Sequence, residues 1–242
     1  GLAASGLQFA EDARFFAKQG FRVIVPDLRG HGMSKIADGV KFSHEDFTIK
    51  TMAEDLIAIL DKEQVKSTHW VGNSLGGLLA VSILGSNPGR IADLVVFGTS
   101  FTMDLPVFLV PAAKILGNLT GRKRHDRQVA RLTSPSAKAR AIIYNMAQAS
   151  NRDCVFMIAK NLANYDLVDN AVNSSSAILM LKGQNDTMIN QALKITLLEM
   201  KNKTNFFLKD IANAGHCANL DQPDIVREEI LDFVGGGWVL WD

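Results

Sequence analysis

A serine hydroxyl attacks a carbonyl carbon only when a base removes its proton, so a candidate serine must come with a histidine and a carboxylate. Gly72-Asn73-Ser74-Leu75-Gly76, followed by Gly77, matches G-x-S-x-G. Glycines and serines are common, and the pattern alone is weak. Its setting is specific. His69-Trp70-Val71 ends a strand-like run just before it, and Leu78-Leu79-Ala80-Val81 opens a helix-like run just after it. A serine on so sharp a turn is held at strained dihedrals, and small neighbours let the backbone pass. Its hydroxyl then projects at the carboxyl edge of a sheet, by the positive end of the following helix. The bland alternative is a glycine-rich turn without chemistry.

Five histidines could serve as the base. His69 lies within the strand before Ser74 and reads as a packed or edge residue. His44 sits in a polar loop and His125 in a basic cluster, so both read as solvent-facing. His31 belongs to Asp27-Leu28-Arg29-Gly30-His31-Gly32-Met33-Ser34, a tight post-strand loop that it is suited to hold. His216 follows a strand and the loop Ala212-Asn213-Ala214-Gly215, which puts it at the same edge as Ser74. It is the base of choice. The imidazole needs an acceptor to fix its tautomer, and Asp186, in Gly183-Gln184-Asn185-Asp186 after another strand, projects at that edge too. A lone post-strand Asp is usually a turn former or cap. The chain order Ser74, Asp186, His216 is nevertheless the nucleophile–acid–base order of one particular fold.

The elements that must position these groups alternate. The spacing predicts helices over 7–19, 47–63, 75–86, 189–201 and 223–234, the last opened by Pro223. Strands are expected at 21–25, 68–72, 92–97, 176–182 and 204–208. Such alternation implies a mostly parallel sheet covered on both faces. Residues 103–172 break the pattern, with helical spacing at 107–116, 126–131, 137–148 and 153–164 and no convincing strand. A helical lid over the strand ends is expected, dividing the chain into core 1–102, lid 103–172 and core 173–242. Arg122, Lys123, Arg124, Arg127 and Arg131 read as a solvated helix face, or else as a site for an anionic substrate or partner.

DLRGHGMS, VGNSLGG, GQND and AGHCANLDQPD together resemble the α/β-hydrolase superfamily, in its lidded, esterase-like branch, over nearly the whole chain. The chain is most similar to small bacterial carboxylesterases, enol-lactonases and carbon–carbon bond hydrolases. Asn73 is shared with the last group, but Cys217 stands where those often carry Trp. A serine at 74 is unlike the haloalkane dehalogenases and epoxide hydrolases, which use aspartate there. The resemblance implies an oxyanion hole from the backbone N–H groups of Leu75 and of Leu2, the latter in Gly1-Leu2-Ala3-Ala4-Ser5-Gly6. It implies a cofactor-free, metal-free serine hydrolase acting on a small-molecule ester or lactone. The alternatives are a carbon–carbon hydrolase, or a hydrolase-like ligand receptor with slow turnover. In the lid, Met103, Leu105, Val107, Phe108 and Leu109, with Phe156, Met157 and Ile158, either pack lid to core or line a pocket. Met103, Leu105 and Phe108 are the candidate substrate contacts, for an apolar acyl group.

Of the 242 residues, 47% are hydrophobic and 21% charged, with a formal net charge of +1. That balance fits a globular α/β domain, not a disordered or repetitive chain, and offers no general attraction for nucleic acid or an anionic membrane. No apolar run approaches the ~20 residues needed to span a bilayer. Two cysteines without CxxC spacing point to a reducing, cytoplasmic setting. The chain opens without Met and without a signal-peptide pattern, which suggests trimming, processing or rearrangement. After Gly235-Gly236-Gly237 comes Trp238-Val239-Leu240-Trp241-Asp242, a β-prone run. Joined end to start it reads WVLWD-GLAASG, as a circularly permuted member would, with a strand at 238–241 leading toward Gly1. The alternative is a trimmed chain with an incidental tail.

Overall fold

The computed structural model describes residues 1–37, 39–106 and 121–236. The helix expected at 107–116, Phe108 and the strand expected at 238–241 lie outside the described residues.

In chain order the elements are α1 (Ala10–Lys18), α2 (Ile49–Lys62), β1 (Thr68–Asn73), α3 (Leu75–Ser86), β2 (Ile91–Phe97) and β3 (Thr102–Asp104). The helices α4 (Arg122–Thr133), α5 (Ala137–Ala149) and α6 (Arg152–Asn161) follow, then β4 (Asn164–Asp166) and α7 (Val168–Val172). The chain continues through β5 (Ala177–Gly183), α8 (Thr187–Met200), β6 (Phe206–Ile211), α9 (Ala218–Asp221) and α10 (Pro223–Val234).

β1, β2, β5 and β6 form a parallel sheet in that spatial order. Val95 sits in register between Val71 and Leu179, and Leu179 in turn faces Phe207. Side chains alternate across a strand. Leu94 and Val96 therefore pack with Leu75, Leu79 and Ile83 of α3, Met52 and Leu56 of α2 and Leu193 of α8. Val95 and Phe97 point the other way, onto Val226, Ile230 and Phe233 of α10, with Phe9 and Phe16 from the α1 side. Covered on both faces, β2 needs apolar residues at successive positions, and Leu94–Phe97 are all buried. Truncating such a side chain to Ala costs about 2–5 kcal/mol. α3 lies inside the layers, and its apolar residues run all round; a helix of that kind is a core helix.

Two sequence expectations need correction. Residues 103–172 do hold strand: β3 and β4 pair antiparallel, Met103 opposite Tyr165. The ribbon is only three residues on each side, too short for period-2 alternation to register. Residues 21–25 were expected to be a strand, yet the segment joins neither sheet among the described residues, and Val23 and Val25 are over a third exposed. Its β-branched residues favour extension, but a strand also needs a neighbour to bond.

The helices of the 103–172 insertion are capped as their sequences suggest. Ser136 Oγ accepts from the Ala139 N–H, and Asn151 Oδ1 from the N–H groups of Asp153 and Cys154. Arg122 leaves the basic cluster: its guanidinium donates to the Ala147, Gln148 and Ser150 carbonyls at the end of α5. Lys123, Arg124, Arg127 and Arg131 are exposed. No helix among the described residues is long and apolar enough to cross a membrane.

Candidate active site

Ser74 stands between β1 and α3 at φ 53°, ψ −119°, a left-handed conformation that a side chain rarely adopts. Sterics explain how the turn is made. A β-carbon on Gly72 would lie 2.6 Å from Gly77 N, and one on Gly77 would lie 2.5 Å from Thr99 Oγ1. Gly76 has open space around it. Of the three glycines, Gly72 and Gly77 are the ones the turn requires. Thr99 Oγ1 braces the elbow by donating to the carbonyls of Ser74 (3.2 Å) and Phe97 (3.0 Å). The N–H of Leu75, first residue of α3, precedes the first intrahelical hydrogen bond and remains available to a ligand.

Asp186 follows β5 and His216 follows β6, and their loops interlock. The Asn185 N–H donates to Ala214 O at 2.8 Å, and a β-carbon on Gly183 would collide with Gly215 O. This brings His216 Nδ1 to 2.8 Å from Asp186 Oδ2, with the carboxylate buried and the ring four-fifths covered. With Nδ1 as the donor to that carboxylate, Nε2 is the nitrogen left to accept a proton.

Both backbone groups of His216 are held. Its N–H donates to Thr133 O, at the end of α4, at 2.8 Å. Its carbonyl accepts from Asn73 Nδ2, also at 2.8 Å. Gly98, at φ 58°, lies beneath, where a β-carbon would come within 2.5 Å of His216 O. Asp221 accepts from Gly215 N–H at 2.8 Å and from the Ser134 hydroxyl, tying the His216 loop to the start of α5, and burial pushes its carboxyl up. Gly98, Thr133 and Asp221 were not singled out from sequence, and Asn73 was noted only as shared with the carbon–carbon hydrolases, not as a partner of His216. Of the first three, Asp221 alone lay within a motif that could have drawn attention.

Leu2 lies in a loop that abuts the elbow: a β-carbon on Gly1 would stand 3.7 Å from Ser74 Cβ. Ala3 is at φ 57°, and its N–H donates to His31 Nε2 at 3.1 Å. His31 Nδ1 is 3.0 Å from Arg29 O, so Nδ1 carries the proton, and burial lowers the ring's pKa. Asp27 joins the two loops, accepting from Gly6 N–H and Met33 N–H at 2.7 Å each. His31 thus holds its own loop, as expected, and the Leu2 loop as well.

The family model for serine aminopeptidase, S33 (Hydrolase_4), matches residues 1–223. The chain belongs to this family. It is a hydrolase of the α/β-hydrolase fold, carboxylesterase-like. A carboxylesterase of Bacillus subtilis, YbfK, is 22% identical in a match covering 98% of this chain and 78% of that protein. A putative carbamate hydrolase of Variovorax paradoxus, RutD, is 33% identical, but the match spans 40% of this chain and 34% of that protein. Among solved structures, the esterase EaEST of Exiguobacterium antarcticum superposes with a TM-score of 0.82 at 19% identity, over 97% of this chain and 89% of that one. The enol-lactonase of Burkholderia xenovorans gives a TM-score of 0.76, also at 19% identity, over 97% and 88%.

In this S33-family chain the expected substrate contacts divide. Met103 sits on the β3–β4 ribbon, half-buried against the larger core cluster. Leu105 is 39% exposed, with its N–H on Ala163 O. Phe108 is outside the described residues. Among those residues no group of three or more His, Cys, Asp or Glu is placed to hold a metal ion.

Proposed function

We propose that this S33-family hydrolase cleaves the carboxylic ester or lactone of a small to medium apolar substrate through an acyl-enzyme on Ser74. His216 Nε2 takes the Ser74 proton as Oγ attacks the carbonyl carbon, while Asp186 keeps the ring in the Nδ1–H tautomer. The tetrahedral oxyanion is held by the N–H groups of Leu75 and Leu2, each such donor contributing roughly 3 kcal/mol. Collapse expels the alkoxide, which takes the proton from His216. Water then attacks the acyl carbon, giving its proton to His216, and the acid leaves with Ser74 restored.

The observation that carries this reading is the strained Ser74 at a helix N-terminus, beside a histidine loop whose ring is bonded to a buried carboxylate at 2.8 Å. The insertion 103–172 serves as the lid, and Met103 and Leu105, its described candidate contacts, meet the acyl group. Cys154 and Cys217, buried free thiols, fit a reducing cytoplasm. The carbon–carbon alternative leaned on Asn73, but that amide is engaged with the Phe97 and His216 carbonyls and with Gln8, so it supports neither reaction over the other. The test is a fluorophosphonate followed by a panel of chromogenic short-chain esters and lactones. One label per chain, mapped to Ser74, with turnover of esters is expected. Labelling elsewhere, or turnover unaffected by labelling, rules the reading out.

A further inference from the structure

The sheet does not reach His216: β6 ends at Ile211, and the loop from Ala212 to Gly215 carries the chain onward. Asn73 and Asp186 hold the residue from the core side. On its other side the chain leans on the turn between α4 and α5, residues 133–136. It does so before, at and after His216. The Gly215 N–H donates to Asp221 Oδ2 at 2.8 Å, and the second oxygen of that carboxylate takes the hydroxyl of Ser134, a buried residue. The His216 N–H donates to Thr133 O, also at 2.8 Å. Cys217 packs into a small apolar cluster with Ala130 of α4 and Ala139, Ile143 and Met146 of α5. The approach is close. A β-carbon on Gly215 would stand 2.5 Å from Thr133 O and 3.1 Å from Pro135 Cδ.

We propose that Asp221 is a positioning residue for His216: by bridging Ser134 and Gly215 it couples the seating of the α4–α5 turn to the placement of the base. The insertion then helps to build the reactive geometry instead of only covering it. The proposal rests on the reading of Ser74 and His216 as nucleophile and base. An ionised carboxylate suits the task, because it only accepts and has two oxygens for two donors from distant parts of the chain. Its hydrogen bonds go to Ser134 and Gly215, so it acts on the ring through backbone. Thr133 O cannot do this alone, since a carbonyl at the end of α4 moves with its turn. The Ser134–Asp221 bond pins that turn to the end of α9. Ser134 Oγ also accepts the Ser136 N–H at 3.0 Å, and Ser136 Oγ in turn accepts the Ala139 N–H in the first turn of α5. Carboxylate, hydroxyl and helix start therefore form one connected unit.

The test pairs Asp221→Ala with Ser134→Ala in the full chain. Each should lower kcat and the rate of fluorophosphonate labelling together, by roughly 10- to 100-fold, the scale of a base displaced by about 1 Å. KM should change little. Asp221→Asn should recover most of the loss, because its amide oxygen can accept the Gly215 N–H while its nitrogen donates to Ser134 Oγ. The downfield Nδ1–H proton resonance of His216, bonded to Asp186, should be sharp in the parent and broadened by exchange in both alanine variants. That signal needs no substrate. Alanine variants that melt as folded proteins yet keep the parental kcat, labelling rate and Nδ1–H signal overturn the proposal. A fall in Asp221→Ala that Ser134→Ala does not share overturns it too, since the turn would then play no part. If Asp221→Ala does not fold, Ser134→Ala and Asp221→Asn decide the matter. A parent that neither labels at Ser74 nor turns over esters overturns the esterase reading instead, and the Nδ1–H signal still reads the placement of His216.

Discussion

Asn73 Nδ2 donates to the His216 carbonyl at 2.8 Å, tying the residue before the candidate nucleophile to the candidate base. The same amide nitrogen reaches Phe97 O at 3.1 Å, and Asn73 Oδ1 accepts from Gln8 Nε2 at 2.8 Å. Gln8 in turn contacts Asn219, which bonds the Asp12 carboxylate held by Arg227. Burial raises the Asp12 pKa, and the Asn219 and Arg227 hydrogen bonds oppose that rise. A buried polar chain therefore runs from the elbow through the start of α1 to α10. Asn73→Ala strands the His216 carbonyl and removes one of the two acceptors of the Gln8 amide. We expect a stability loss of about 1–3 kcal/mol, the usual penalty for a buried unpaired polar group. A shift of His216 by ~1 Å should lower kcat by roughly 100-fold, with KM little changed. Steady-state kinetics beside thermal melts check it; an unaltered kcat would show that this bond does not position the base.

The triad proposal has its own signature. Ser74→Ala should abolish ester turnover with the melt nearly unmoved; His216→Ala should abolish it too, but at a cost in stability, because it leaves the buried Asp186 carboxylate without its ring partner. Residual activity within a factor of about ten of the parent would refute the assignment. Asp186→Asn should fall on the order of 10⁴-fold, because the amide favours the wrong tautomer of His216.

The glycines of the elbow divide into two kinds. Gly76→Ala meets nothing within 4 Å inside a helix, and Ala is the better helix former by about 1 kcal/mol. That variant should melt at or above the parent. Gly72→Ala and Gly77→Ala drive a methyl into backbone and into Thr99, and should either unfold the protein or distort the Ser74 turn. Purified yields, melts and fluorophosphonate labelling of the three variants distinguish the cases. Equal behaviour of all three would contradict the steric account.

These glycines mark where sequence and structure part company. The motif pointed to Ser74 as the candidate nucleophile because a strand, a sharp turn and a helix each leave local signals around residue 74. Asp186 and His216 were legible for the same reason, each on a short loop just after an apolar strand. What fixes His216 in place was not legible, because a backbone carbonyl such as Thr133 O carries no side-chain signal. Asn73 was read as a mark of carbon–carbon hydrolases, with no sign that its amide holds the His216 carbonyl. Residues 21–25 show the opposite failure. FRVIV has every local feature of a strand, but pairing depends on a neighbour far away in sequence.

His31 offers a pH test of the loop carrying Leu2. Its neutral ring accepts the Ala3 N–H at Nε2, and protonation there would set a donor against a donor. Burial holds the folded-state pKa below the ordinary value of about 6.5. As pH falls through that ordinary value the unfolded chain takes up the proton first, and stability then drops until the folded pKa is reached. The contribution is thus present above about pH 6.5 and lost below it. His31→Gln removes the titration while an amide oxygen can still accept from Ala3. The parent should be the more stable protein near neutrality, and its advantage should shrink steadily toward pH 5. Urea-unfolding curves for both proteins across that range provide the measurement. Two parallel stability curves would mean that the His31–Ala3 bond does not depend on the neutral ring.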